Sequence, residues 1–572
     1  MTKLSKLKKI FRNYKIDGYI VPKNDEFFGE YIPENKDNLK FISSFSGSYG
    51  FALILKNENY LFVDGRYTLQ AKIQSGKNFK IITIPKKFPS EVLKGKKLSI
   101  GFDPKLHTEL MINRLFDKSN CKLVPLYENL INKIWANKNN NKNNKFYKLS
   151  NKEVGESSEN KIKKLSKILN KNQIDCQFIS SPENVAWLLN IRGSDSEFTP
   201  TPNSYVIINK EKKIYLFCNL KKIDKKFKKS LHNIEIININ YIENYFLKMK
   251  NKKVQIDSIS CSIFFKSILK KNNIIFEMQD PIYILKSIKN KTEIENTIKA
   301  HVHDGVALTK FLFWVKNNFI KKKITEISAQ EKLLKFRKNN KSFRFLSFPT
   351  ISGSGPNGAI IHYKPTKKSN RILRKGDIYL VDSGGQYNFG TTDVTRTISL
   401  DNKEQKIKNI FTRVLKGHIA VANYKLKKKT IGSEIDFVAR KPLKEINLDY
   451  EHGTGHGVGY FLNVHEGPHA ISKSNKINFK EGMVVSNEPG YYENGKFGIR
   501  IENLITVKKE KRNLKFENLT LAPIDKSLIN KKLLNNDEIN WLNSYHLTVL
   551  NNLKKFMNKS ELFELKEICS NI

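Results

Sequence analysis

Apolar residues recur along this chain with two different periods, and the period switches where the chain changes character. From Leu285, "LKSIKNKTEIENTIKAHVHDGVALTKFLFWV" places Ile288, Ile294, Ile298, Val302, Val306 and Leu308 in a stripe at helical spacing, which predicts a long amphipathic helix. Near the C-terminus, "NDEINWLNSYHLTVLNNLKKFMN" spaces Leu542, Tyr545, Val549, Leu553 and Phe556 along one helical face, for packing against its own domain or a partner subunit. Between these helices, runs of β-branched and aromatic residues alternate with Gly-rich turns and read as strands. "YLVDSGGQYNFGTTDVTRT" predicts a hairpin that reverses near Tyr387 and Asn388 and sets Asp382 and Asp393 opposite or diagonal to one another. In "GIRIENLITV", alternation puts Arg500 and Glu502 on one face and Ile499 and Ile501 on the other. The apolar strand "GMVVSN" delivers Glu488 to a Pro489-Gly490 turn, where a side chain projects from the strand end.

A weak internal repeat organises the first half. "DGYIVPKNDEF" from Asp17 corresponds to "DCQFISSPENVAWLLN" from Asp175, and "SYGFALILKNENYLFVDG" from Ser48 to "SYVIINKEKKIYLFCNL" from Ser204. Two similar α/β domains explain this pattern. The Asn/Lys-rich "NKNNNKNNKFYKLSNKEVGESSEN" between them reads as a linker or exposed loop, and a second boundary falls near Pro281. A chain of 572 residues is too long for one core. The expected division is 1–145 and 151–283 as two α/β domains, 284–510 as the domain carrying the chemistry, and 511–572 as an extension for packing or dimerisation. The fold class is mixed α/β (α+β).

Composition narrows the function classes. Hydrophobic residues make up 39% of the chain, which suits a globular protein, and no apolar run is long enough for a membrane span. The basic N-terminus reaches its acids before any apolar core forms, so a secretory signal is not expected. Cys121, Cys176, Cys218, Cys261 and Cys569 are scattered and never in CxxC spacing, which reads as reduced thiols in a cytoplasmic protein. A net charge of +47 invites a nucleic-acid reading, but the lysines are spread over nearly every segment alongside abundant Asn and Ile. Composition bias is the favoured explanation, and a nucleic-acid partner is not expected.

The chemistry concentrates in the third segment, where His362, His452, His456, His465 and His469 fall beside the aspartate pair. Asp382, Asp393, Glu488 or Glu502 taken alone reads as a solvated strand-end charge. Together they match the charge of two divalent cations, whereas without metal, four packed carboxylates raise one another's pKa. A neutral imidazole completes the shell, and His456, flanked by glycines in "HGTGHGVG", is the best candidate. An oxygen-rich set with one nitrogen favours Mn²⁺, with Co²⁺ and Zn²⁺ as alternatives. His452 and His469 are also open to reading as buried hydrogen-bonded histidines, and His301 and His303 as packing or surface residues.

"FPTISGSGPNGAIIHY", "DSGGQYNFGTTDVTRT", "LKGHIAVA", "HGTGHGVGYFLNVHEGP", "NEPGYY" and "GIRIEN" together resemble the creatinase, prolidase and aminopeptidase P family of metallopeptidases, from about Lys286 to Val507. The resemblance implies two creatinase-like N-terminal domains before a pita-bread catalytic domain, as in the three-domain cytosolic Xaa-Pro aminopeptidases. It implies metal ligation by Asp382, Asp393, His456, Glu488 and Glu502, with Asp393 and Glu502 bridging. His362 and His465 match residues that contact the scissile carbonyl, His452 a residue lining the pocket after the cut, and Arg500 a partner of the carboxylates. It further implies Glu488 as proton acceptor and a hydroxide shared by the two ions that would attack the bond before proline. Peptides with proline second are the implied substrates, and a homodimer the implied assembly. Prolidase, cleaving only dipeptides, is the neighbouring alternative, and a non-catalytic binding protein on the same fold the more distant one. Asn487 stands where many relatives have an acid, and His469 at a variable place.

Overall fold

The computed structural model describes residues 1–135 and 144–572. The chain forms two compact units, one of residues 1–151 and 156–283, the other of residues 152–155 and 284–572.

The first unit holds two six-stranded sheets. One is built from Gly18–Pro22, Phe51–Leu55, Asn59–Asp64, Lys80–Ile84, Ser99–Phe102 and Lys122–Pro125. The other uses Cys176–Ile179, Ser204–Asn209, Ile214–Cys218, Ile234–Asn238, Lys253–Ile256 and Ile274–Glu277. Numbered along the chain within each sheet, the strands lie in the same spatial order, 4-3-2-1-5-6. Strand 1 pairs antiparallel with 2 and parallel with 5 in both. The correspondence extends to single atoms. Asp17 accepts from the Ser99 N–H at 2.9 Å and from Lys56 Nζ at 2.7 Å. Asp175 accepts from the Lys253 N–H at 2.9 Å and from Lys210 Nζ at 2.8 Å. Each aspartate ties the start of its first strand to the start of the fifth, so the sequence repeat is also a structural one.

The expected linker needs correction. Its stretch through residue 143 lies outside the described residues, but the remainder is ordered into secondary structure. Tyr147–Lys148 pairs with Ile191–Arg192, and Ser157 caps the helix Ser158–Lys171, whose Ile162, Leu165 and Leu169 are buried. A serine N-cap with Glu159 in the first turn initiates a helix even in polar surroundings.

In the second unit the predicted long helix runs over Lys291–Asn318, opened by a capping box between Asn290 and Glu293. Its buried face differs from the predicted stripe. Ile288 precedes the helix and Ile298 is 40% exposed, while Ala300, Ala307, Leu308, Phe311, Leu312 and Val315 are buried. The helix packs over a three-stranded sheet of Ile351–Ser354, Ile378–Ser383 and Val394–Ser399, with Ile378–Ser383 in the centre. A five-stranded sheet runs in the order Glu466–Ile471, Gly455–Gly457, Val484–Asn487, Asn503–Glu510 and Asn513–Asn518. The predicted hairpin is present, reversing between Tyr387 and Gly390. Its register sets Asp382 against Thr395 and Ser383 against Val394, so Asp393 is diagonal to Asp382.

The C-terminal stripe packs on its own unit. Leu542, Tyr545, Val549 and Leu553, on the helix Asn536–Leu553, join Phe411, Ile499 and Ile501 in one buried cluster, and Phe556 lies beyond the helix at 37% exposure. Leu542→Ala should therefore lower the unfolding free energy by about 2–5 kcal/mol, measured by urea denaturation of the whole chain; a change within experimental error would place this helix outside the core.

Candidate metal centre

The hairpin, the strand Gly455–Gly457, the end of Val484–Asn487 and the break between Phe497–Arg500 and Asn503–Glu510 converge on one place. There Asp393, His456 and Glu502 each offer a ligand atom, all within 4.8 Å of one another. His456 Nε2 lies 3.5 Å from Asp393 Oδ2 and 3.4 Å from Glu488 Oε1. Its Nδ1–H donates to the Gly457 carbonyl at 3.0 Å, which leaves the Nε2 lone pair facing the carboxylates. The glycines beside it let neighbouring strands close in. A Cβ on Gly455 would meet the Ser486 carbonyl at 1.9 Å, and one on Gly457 the Glu466 carbonyl at 2.2 Å.

Asp382 is joined through Oδ2 to Arg500 Nη2 at 2.7 Å, and Thr395 Oγ1 donates to Glu502 Oε2 at 2.7 Å. Ser486 Oγ donates to Glu488 Oε1 at 3.0 Å and accepts from the His456 N–H at 2.9 Å. Arg500 Nη1 donates to the Tyr492 hydroxyl at 2.6 Å, which donates onward to His452 Nε2 at 2.9 Å, while His452 Nδ1–H reaches the Gly453 carbonyl at 2.7 Å. His465 packs edge-on against His456, ring centroids 4.4 Å apart. His362 is connected through its neighbour: the Ile361 carbonyl lies 3.5 Å from both terminal nitrogens of Arg500.

The electrostatics are severe. Burial, then the charges of Asp382 and Glu488, push the Asp393 carboxyl well above the usual range. Glu502 is pushed up by burial and then by Asp393, Glu488 and Asp382, and Glu488 by burial, opposed by His456 and Arg500. Asp382 Oδ1 and Asp393 Oδ1 are buried with no hydrogen-bond partner. Orphaned anionic oxygens, mutually opposed carboxylates and an aimed imidazole lone pair fit divalent cations, and no residue of the cluster conflicts with that fit.

Other histidines fall outside the cluster. His469 is buried and donates through Nε2 to the Val484 carbonyl at 2.7 Å, a packing role, and burial lowers its pKa to about 4. His301 and His303 engage Thr297 and Asn340, also as packing residues. Asn487 donates to the His418 carbonyl at 2.9 Å, away from the carboxylates.

The family model described as Metallopeptidase family M24 matches residues 295–509, and its C-terminal region 512–572. Creatinase/Prolidase N-terminal domain models match residues 3–134 and 136–293. A probable Xaa-Pro aminopeptidase P of Laccaria bicolor is 39% identical, covering 95% of this chain and 89% of the relative. The chain belongs to metallopeptidase family M24. The crystal structure of X-prolyl aminopeptidase from Caenorhabditis elegans, described as a cytosolic enzyme with a di-nuclear active site, superimposes with a TM-score of 0.95 at 31% identity. That likeness covers 100% of this chain and 99% of the other. Prolidase from Pyrococcus horikoshii gives a TM-score of 0.53 at 26% identity, covering 99% of its own chain but 64% of this one. The M24 pita-bread fold and the creatinase-type N-terminal domains are thereby established.

Several residues supporting this M24 site escape sequence reading. Thr395 was reachable, since it shares a strand face with Asp393 two residues before it. Arg396 was not. It is fully buried and donates to the carbonyls of Thr395, Glu502, Ala522 and Pro523, to Asn503 Oδ1 and to the Tyr545 hydroxyl, joining the C-terminal helix to the backbone at Glu502. Glu466, beside His465, is buried against Lys286 and Lys289.

Because the folded pKa values of Asp393, Glu488 and Glu502 lie above the unfolded ones, metal-free protein loses stability as pH rises from the ordinary carboxylate range toward those raised values. Cations offset this loss but must displace the protons first. Scanning calorimetry of chelator-treated protein should show Mn²⁺ raising Tm more at about pH 7.5 than at about pH 5.5; an equal shift would contradict the buried-acid account. Asp393→Asn should raise the Tm of the metal-free protein and abolish the Mn²⁺-induced increase.

Proposed function

We propose that this chain is an Xaa-Pro aminopeptidase, hydrolysing the bond before a proline at the second position and releasing the first residue. The observation that carries the reading is the convergence of Asp393, His456 and Glu502, with Glu488 beside His456 and Asp382 held by Arg500, in a chain matched end to end by an X-prolyl aminopeptidase. The prolidase of Pyrococcus horikoshii covers 64% of this chain and the X-prolyl aminopeptidase of Caenorhabditis elegans 100%, and that full-length match favours the aminopeptidase over the dipeptidase reading.

Those five residues would hold two divalent ions, with Mn²⁺ favoured by the oxygen-rich set and Co²⁺ or Zn²⁺ as alternatives. When bound, the ions polarise the scissile carbonyl and bring the pKa of water toward neutrality. Glu488 takes the proton that the attacking water gives up and passes it to the proline nitrogen as the C–N bond breaks. His465 and His362 donate to the oxygen on which negative charge develops. His452, with Nε2 engaged by Tyr492, lines the pocket of the residue after the cut. Arg500 keeps Asp382 oriented, and the free amino group of the substrate binds beside Asp382, which confines cleavage to the first residue.

The proposed division of labour follows the expected boundaries: 1–145 and 151–283 as creatinase-like domains, 284–510 as the catalytic domain and 511–572 as its extension. The twin sheets of the first unit support this division. A cytoplasmic homodimer completes the proposal; among the described residues no helix is long and apolar enough to cross a membrane.

Mn²⁺-loaded protein should release the first residue from Xaa-Pro-Yaa tripeptides in a chromatographic assay. Turnover of Xaa-Pro dipeptides alone would make it a prolidase, and inertness toward every such peptide would overturn the reading. His465→Ala should lower kcat by about 10²–10³ while Mn²⁺ binding persists by calorimetry. Glu488→Gln should impair both activity and Mn²⁺ binding.

A further inference from the structure

Between Ala359 and Ile378 the chain forms neither helix nor strand, yet this irregular stretch carries His362. Irregular backbone lacks a ladder of its own to hold it, so its conformation depends on other acceptors and donors. One buried side chain reaches this stretch at Tyr363 and Arg371 and the turn before it at Ser354 and Asn357. Glu326 is the first residue of the helix Glu326–Lys338, where the helix dipole favours a negative charge, and it is fully buried. Its Oε1 accepts from the Ser354 N–H at 2.8 Å and from Asn357 Nδ2 at 3.0 Å. Its Oε2 accepts from Asn357 Nδ2 at 3.0 Å, from the Tyr363 hydroxyl at 2.8 Å and from the Arg371 N–H at 2.8 Å. The Glu326 N–H donates back to the Arg371 carbonyl at 3.0 Å, and the Glu326 carbonyl accepts from Ser352 Oγ at 2.8 Å.

A single carboxylate thus gathers both ends and the middle of the segment from 354 to 371. The middle contact is the informative one. Tyr363 directly follows His362, and Ile361, directly before it, has its carbonyl 3.5 Å from both Arg500 terminal nitrogens. The His362 peptide is therefore held between Glu326 on one flank and the arginine bound to Asp382 on the other. Asn357 Nδ2 also donates to the Ser369 carbonyl at 2.9 Å, and that carbonyl lies 2.9 Å from the Tyr363 hydroxyl, whose one proton it shares with Glu326, so the loop closes on itself around the same acid.

We propose that Glu326 is a positioning residue for His362, fixing the imidazole relative to the carboxylate cluster without touching substrate or metal. The proposal rests on the reading of His362 as a donor to the scissile carbonyl. A misplacement of about 1 Å in such a group can cost about 10²-fold in rate. Glu326→Gln puts an amide N–H where the carboxylate accepts from several donors, so at least one of these contacts must break.

The test is a double-mutant cycle on Mn²⁺-loaded protein with an Xaa-Pro-Yaa tripeptide. Glu326→Gln should lower kcat by about 10²-fold, with KM changed far less and two Mn²⁺ per chain still bound by calorimetry. In the His362→Ala background the same substitution should cost no more than about 2-fold, the scatter of independent effects. A merely structural role would make the two losses multiply, and that result overturns the inference while leaving the function intact. If Glu326→Gln does not fold, Tyr363→Phe carries the same cycle: it deletes one donor only and should cost about 10-fold, again vanishing without His362. Full activity of His362→Ala alone would overturn the reading of that histidine and the inference with it.

Discussion

The second unit is organised around an electrostatic conflict: the buried Asp382, Asp393 and Glu502 are brought together with the half-buried Glu488. Among the described residues, the cationic partner in direct contact with this group is Arg500, on Asp382. Like charges at such proximity oppose folding, so the cluster exists only because the surrounding structure overdetermines it. Strand Ile378–Ser383 is buried along its whole length, and the clusters around Phe411, Tyr379 and Val485 supply the apolar burial that offsets the repulsion.

Two buried arginines and one glutamate carry that overdetermination to the site. Arg500 links a carboxylate of the cluster, through Tyr492, to His452. Arg396 spends its donors on the main chain around Glu502 and on Tyr545, so the C-terminal helix is built into the support of that acid. Glu326 organises the segment bearing His362. Each is a buried charge with its hydrogen-bonding capacity directed to several partners, the condition under which a buried ion confers rigidity at tolerable cost.

The fit of this cluster to divalent cations depends on its supports as much as on the carboxylates and imidazole themselves. A chelating set that were flexible would relax by turning its carboxylates outward to solvent. Here His456 is fixed by Gly457 and Ser486, and Glu488 by Ser486. Binding a cation therefore relieves strain already present and requires little reordering.

By itself the sequence determined the local facts: the hairpin, the alternation that puts Arg500 and Glu502 on one face, the twin repeat of the first unit, and the acids and histidines that mark the site. These follow from backbone geometry over a few residues, and geometry of that range is written in residue order. Spacing alone misjudged Ile298, which faces outward, and the stretch after residue 146, which folds despite its polar composition. Tertiary structure alone decided that Arg396 reaches Ala522 and Tyr545, that Glu326 gathers residues 354 to 371, and that the glycines beside His456 make room for strands. Hydrogen-bond partners distant along the chain are selected by which surfaces the core brings into contact, and no local periodicity encodes that choice.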